Sequence, residues 1–370
     1  VGTYRLLLAL CVVVGHASPL PGIRVLDAGL AVKTFFMISG FYMALILAEK
    51  YPPTREGRTL FYSNRLLRIY PMYFVTLIFA ILFYAAASLR LGHPADRLAL
   101  WAQAWGREGG ILAAIGLSQL TVVGLDVTPL FGYSPSAGFQ LLSSSAPADS
   151  TLAWRFNFLP HCWSIGAELL FYAMAPLLVA IRTSVQGLLC AAGLGILIWI
   201  GAMPGPLANS AAYHLGILQV PYFLLGILSY SLLQTWPLLR PTIARAALPI
   251  LALAALTFSG WPAIGKPPGY VYILCAWLAI PVLFHVSRRS SWDRWVGELS
   301  YPIYLLHVPV KWILLAARGV EKKDAAEISG WLLIAATLAA SGLMVFLIDR
   351  PMERFRRERF ERRAAGAVKG

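Results

Sequence analysis

The amino-acid sequence predicts an all-α, polytopic membrane protein with about ten transmembrane helices and both termini cytoplasmic. Three observations lead there. Hydrophobic residues make up 58% of the chain and charged residues 13%, where soluble domains carry about 45–50% and about 25%. A chain of 370 residues has room for roughly ten spans of about 20 residues and short connections, but not for a large soluble domain as well. The basic residues gather in the short stretches between apolar runs, as cytoplasmic loops require.

That placement also settles the meaning of the net charge of +14. In a soluble protein such a charge would suggest nucleic acid; here it marks loop orientation, and no nucleic-acid partner is expected. Cys11, Cys162, Cys190 and Cys275 are scattered, with no CxxC pair. Neither a disulfide framework nor a metal site is expected.

Hydropathy and length give the elements in order. Span one covers residues 4–17 and span two 28–48. The opening run lacks a basic n-region and an A-x-A site, so it is expected to stay as a span and not to leave as a signal. The next loop carries Lys50, Arg55, Arg58, Arg65 and Arg68 and is expected inside. Span three is 69–89. Residues 90–160 break the pattern. "ILAAIGLSQLTVVGL" is apolar but short and Gly-broken, which predicts a re-entrant or surface-lying segment. "TPLFGYSPSAGFQLLSSSAPADS" reads as an exposed loop. Spans four to ten follow at 163–181, 188–203, 214–233, 247–259, 270–286, 299–316 and 331–348. This count puts the Arg182, Arg240/Arg245 and Arg288/Arg289/Arg294 loops inside and the uncharged 205–212 loop outside. The 318–329 loop, expected outside, carries Arg318, Lys322 and Lys323 against the rule. Residues 1–348 form one integral-membrane domain; 349–370 form a polybasic tail expected against anionic lipid, with no catalytic role. No internal repeat is visible, which disfavours a transporter built from inverted halves.

An ionisable residue inside a span is costly and marks a candidate site. "RLLLALCVVVGHASP" carries two, Arg5 and His16. Eleven residues apart at 100° each, they share one helical face about 16 Å apart. His16 falls near the outer surface, where an imidazole can act as general base; the plainer reading is a packing or capping histidine. In "FYSNRLLRIYP", Arg65 and Arg68 share a face at the cytoplasmic mouth of span three. Their forks suit phosphate oxygens, although positive-inside anchoring is the simpler explanation. In "HCWSIGAELLFYAMAP", Glu168 is an acid near the outer end of its span, with Tyr172 one turn on. It can orient the His16 imidazole or hold a structural hydrogen bond between helices. "LSYPIYLLHVPV" brings Tyr301, Tyr304 and His307 near one face of span nine, where mid-membrane His307 reads more readily as packing or cavity lining than as catalysis. In "AVKTFFMISGFYMALIL", Lys33 is a buried cation and Ser39-Gly40 a small patch for close helix approach or a local break.

Taken in order, these stretches resemble the acyltransferase-3 family of bacterial membrane O-acyltransferases, which modify surface polysaccharides and some small molecules. The Arg5–x10–His16 pairing is similar to that family's catalytic motif. "FFMISGF", "FYSNRLLRIYP", "CWSIGAELLFY" and "LSYPIYLLHVPV" look like its later blocks. The resemblance covers spans one to four and nine; residues 187–289 match in hydropathy alone. Lys33 stands where many members carry an acid. The fused extracytoplasmic hydrolase-like domain of some relatives is not in this sequence, so any partner for a final hand-off would be a separate protein, or none is needed.

The resemblance implies a site laid out from inside to outside. Acetyl-CoA or another acyl-CoA would enter from the cytoplasm, with Arg65 and Arg68 on its phosphates and Arg5 helping to bind it. His16 would take the proton of an acceptor hydroxyl, or briefly accept the acyl group, with Glu168 orienting it. Lys33, Ser39, Tyr172 and His307 would support the site. The implied acceptor is a cell-surface or lipid-linked glycan, and the implied location the bacterial cytoplasmic (inner) membrane. Two other readings stay open: a transporter or flippase for a glycan or lipid precursor, with His16 as proton relay, and an acyltransferase for a small secondary metabolite.

Overall fold

A computed structural model describes residues 1–235, 252–253, 255, 266–318 and 328–367. The helices are α1 (Gly2–Gly15), α2 (Ala28–Glu49), α3 (Arg55–Leu91), α4 (Asp96–Thr121), α5 (Trp163–Ala180), α6 (Thr183–Ala202), α7 (Pro206–His214) and α8 (Gly216–Thr235). They continue with α9 (Lys266–Ser287), α10 (Ser291–Glu298), α11 (Ser300–Ala317), α12 (Gly330–Met344) and α13 (Arg350–Ala367). Among the described residues, 8 helical stretches are long and apolar enough to cross a membrane. They coincide with spans two to six and eight to ten. Span one is the shorter α1, and span seven lies almost wholly outside the described residues. The protein is an all-α, polytopic membrane protein with one small sheet.

The chain divides into two compact units. The first takes Val1–Tyr73, Ala175–Thr183 and Tyr222–Gly370; the second takes Phe74–Met174 and Ser184–Pro221.

In the first unit α1 starts against α10 and runs along α11, pinned at both ends. At its start a Cβ on Gly2 would fall 1.7 Å from the Asp293 carbonyl oxygen, so only glycine permits the approach. The Asp293 carboxylate, borrowed from α10, caps α1 by accepting the Gly2 and Thr3 N–H groups, both at 2.8 Å. Past its end, the Ser18 N–H and hydroxyl both donate to the Ile328 carbonyl, at 2.9 and 2.8 Å. The loops that follow spans one and nine therefore meet on one side, as the span count requires. Between these pins Ala9 and Val13 pack on Ile303, Leu306 and Val310. A second close approach joins α2 to α8: a Cβ on Gly40 would lie 2.0 Å from the Phe223 carbonyl oxygen, and one on Gly226 would lie 1.9 Å from that of Met37. The small patch expected at Ser39-Gly40 is where two helix backbones meet.

In the second unit α4 bends at Glu108 (φ −119°, ψ 26°). The stretch read from sequence as an exposed loop contains β1 (Phe131–Ser134) and β2 (Gly138–Leu141), which form an antiparallel sheet with β3 (Thr151–Leu152) just past it, in the order β2-β1-β3. Tyr133 and Phe156 bury against Ala104, Leu112 and Ile115 of α4. That apolar contact holds strands too short and too rich in Gly and Ser to show as strands by composition. Buried Arg97 ties the segment down, donating to the Tyr84 hydroxyl at 3.0 Å and to the Arg155 and Asn157 carbonyls at 2.5 Å each. Asp126, in the turn after α4, accepts the Gly216 N–H at 2.8 Å. Burial pushes its carboxyl above the ordinary range, against the opposing pull of that bond.

Two outcomes follow. Gly226→Ala should lower the melting temperature by several degrees, since overpacking a tight crossing costs about 1–3 kcal/mol. Gly187→Ala, at a site with nothing within 4 Å, should leave it unchanged or raise it. Asp126 has a folded pKa above its unfolded value, so its contribution is full at acid pH and is lost as pH rises through the folded pKa. Melting profiles across the acid range should lose that part of their slope in Asp126→Asn.

Candidate functional site

His16 is the C-cap of α1, at φ −106° and ψ 8°, with its N–H still bonded to the Val13 carbonyl at 3.0 Å. Its ring centroid lies 4.8 Å from that of His307 on α11, at a tilt of 50°. His307 is fully buried, and its Nδ1 sits 2.6 Å from the Tyr304 carbonyl oxygen. A carbonyl only accepts, so Nδ1 carries the proton, and whenever the ring is neutral Nε2 is the acceptor. Lys311, one turn further along α11, is buried and within electrostatic reach of His16.

Two sequence expectations meet in this arrangement. His307 was read chiefly as packing or cavity lining, yet it touches the imidazole expected to do chemistry. His16 was placed near the outer surface and His307 at mid-membrane; ring contact puts them at one level. Lys311 was missed. Its signal was a lysine inside an apolar span, four residues after His307.

Arg5 lies toward the other end of α1. Tyr42 on α2 feels the charges of both Arg5 and Arg68, as well as that of Asp293. Arg5 and Arg68 thus share a neighbourhood, while Arg5 and His16 are separated by the length of α1. The Tyr301 hydroxyl donates to the Ile69 carbonyl at 2.9 Å, which ties the start of α11 to α3 beside Arg68. Lys33 has its own company. Its ammonium stands 5.5 Å from the centroid of the Tyr222 ring, a cation–π contact, and the Asp27 charge acts on it. Ser39 is half-buried beside the Gly40 crossing. Glu168 and Tyr172 belong to the second unit, where the Tyr172 hydroxyl donates to the Glu168 carboxylate across one turn of α5. The sequence paired His16 with Glu168; within the first unit its neighbour is His307.

The Acyl_transf_3 family model, described as an acyltransferase domain, matches residues 3–350. The chain belongs to the acyltransferase-3 family. Comparison with curated proteins and with solved structures found no match. Arg5, His16, Arg65, Arg68, Glu168 and His307 all fall inside the matched acyltransferase domain, so the two histidines meet within a multi-pass membrane acyltransferase.

His307→Asn keeps a donor in place of Nδ1 for the Tyr304 carbonyl and removes Nε2. In this acyltransferase it should lower turnover about a hundred-fold, the scale expected when a catalytic group loses its positioning contact, with the fold retained. His307→Gln, which keeps a group at the Nε2 position, should lose less. Turnover assays on both variants check the order.

Proposed function

We propose that this acyltransferase moves an acyl group, acetyl in the simplest case, from a cytoplasmic acyl-CoA to a hydroxyl of a cell-surface or exported glycan, in the bacterial cytoplasmic membrane. The observation that carries the reading is the contact of His16 with His307, held inside an acyltransferase domain with a buried lysine in electrostatic reach.

In the proposed reaction the acceptor hydroxyl oxygen attacks the thioester carbonyl carbon while His16 takes the hydroxyl proton. The carbonyl π electrons move to oxygen, and the Lys311 charge favours that oxyanion. On collapse the C–S bond breaks, and the proton held by His16 passes to the departing thiolate. In a two-step route through an acyl-histidine, the His16 nitrogen first displaces the thiolate; the acceptor oxygen then attacks the acyl carbon, the C–N bond to His16 breaks, and the hydroxyl proton passes to the released thiolate. In either route His307 holds the His16 ring in place. The arginine forks of Arg65 and Arg68 match the donor phosphates, and Arg5 lies in the same neighbourhood as Arg68. Glu168 is retained from the sequence as an acid assisting the base.

The test is transfer from labelled acetyl-CoA in proteoliposomes supplied with cell-surface glycans. Label should reach glycan with wild type and not with His16→Ala; equal labelling by the variant would remove the role of His16. Arg68→Ala should raise the donor KM about ten-fold and leave turnover nearly unchanged, because it contacts the donor far from the reacting carbonyl.

A further inference from the structure

The polybasic tail does not lie wholly against lipid. Between α12 and α13 the chain makes a π-helical turn, Val345–Asp349, and such a turn shifts the register of the residues that follow. It is followed by Arg356 on α13, a guanidinium nine-tenths buried, whereas most of the other described side chains of residues 350–361 are exposed. Its Nη1 donates to the Asn64 carbonyl of α3 at 3.4 Å, and the Asn64 side chain is itself fixed by a 3.0 Å bond to the Tyr51 hydroxyl. Its Nη2 pairs with Glu353, one turn back.

Asn64 immediately precedes Arg65, and Arg68 follows one turn on. Both arginines act on Arg356 as like charges. Asp349 and Tyr51 oppose them, and Glu298 feels the charge of Arg68 together with those of Asp349, Arg350 and Arg294. The Glu353 carboxylate is 60% exposed, so it is a loose counter-ion. The Nε of Arg356 is buried with no hydrogen-bond partner among the described residues. Gathering like charges and leaving a buried N–H unmatched are both unfavourable. A ligand with several anionic oxygens removes both costs at once.

We propose that Arg356 completes, with Arg65 and Arg68, a three-arginine site for the pyrophosphate group of a nucleotide-bearing acyl donor. The identity of the donor rests on the acyl-CoA reading above; the binding of a pyrophosphate does not. Arg356 lies beyond residues 3–350, the extent of the family match, so the third arm of the site comes from the tail of this chain.

Thermal stabilisation of the full chain by inorganic pyrophosphate, and separately by CoA, tests this in phosphatidylcholine nanodiscs. Wild type should be stabilised by both. Arg356→Gln should weaken pyrophosphate binding about ten-fold or more, as expected for a charge-assisted contact. Arg356→Lys should fall between the two. Glu353→Gln, which removes the competing carboxylate, should tighten binding, a result that a purely structural arginine would not give. No pyrophosphate binding by wild type, or wild-type affinity in Arg356→Gln, overturns the proposal. If that variant does not fold, wild-type affinity in both Arg356→Lys and Glu353→Gln overturns it. Pyrophosphate binding without CoA binding supports the arginine site and refutes the acyl-CoA reading. Loss of pyrophosphate binding when phosphatidylglycerol replaces phosphatidylcholine assigns the cluster to a lipid headgroup and overturns the donor site.

Discussion

A hydrocarbon core gives an ionisable side chain no water, so each one within a span must find its partners inside the protein. In this acyltransferase that constraint bears most heavily on α1, which carries a cation near one end and an imidazole just past the other. Turning α1 by a single residue, about 100°, would swing both toward a new face. The Asp293 cap and the Gly2 approach fix one end, and the Ser18–Ile328 bonds fix the other. With rotation and height both set, His16 meets His307 and comes within reach of the Lys311 charge, while Arg5 joins Arg68 around Tyr42. Between these ends Ala9 and Val13 pack on Ile303, Leu306 and Val310 and hold α1 against α11.

The remaining packing protects that arrangement. Where two backbones touch, at Gly40 and Gly226, any side chain would force the helices apart. The Tyr301–Ile69 bond holds α11 to α3 at the arginine end. Lys33, at a position where a different charge was expected, is absorbed by the Tyr222 ring and Asp27 and stays apart from the His16–His307 pair. In the second unit the carbonyls gathered by Arg97 give the same lesson: a buried charge that is fully bonded becomes a structural pin.

The spans were legible because bilayer thickness forces a run of apolar residues of known length. The Arg5–His16 stripe was legible because helical geometry fixes which residues share a face. What the sequence could not supply was the partner of each face. His307 looked like packing until α11 was seen to lie along α1. Lys311 carried a visible spacing signal, but a single cation in a span does not say what it faces. Arg356 was hidden for a different reason: in "ERFRRERFERR" every face is charged, so no periodicity marks the buried residue. The sheet was hidden because its strands are only two to four residues long and owe their stability to aromatic contacts with α4.

In the proposed reaction, with an arginine neighbourhood and a histidine pair set apart along α1, donor and acceptor approach from opposite faces of the membrane. The most direct measurement uses sealed proteoliposomes of uniform orientation and a donor that cannot cross the bilayer. Acyl transfer should occur when the donor is on the face bearing Arg65 and Arg68, and vanish when it is on the other. Equal transfer from either face would contradict a site entered from two sides.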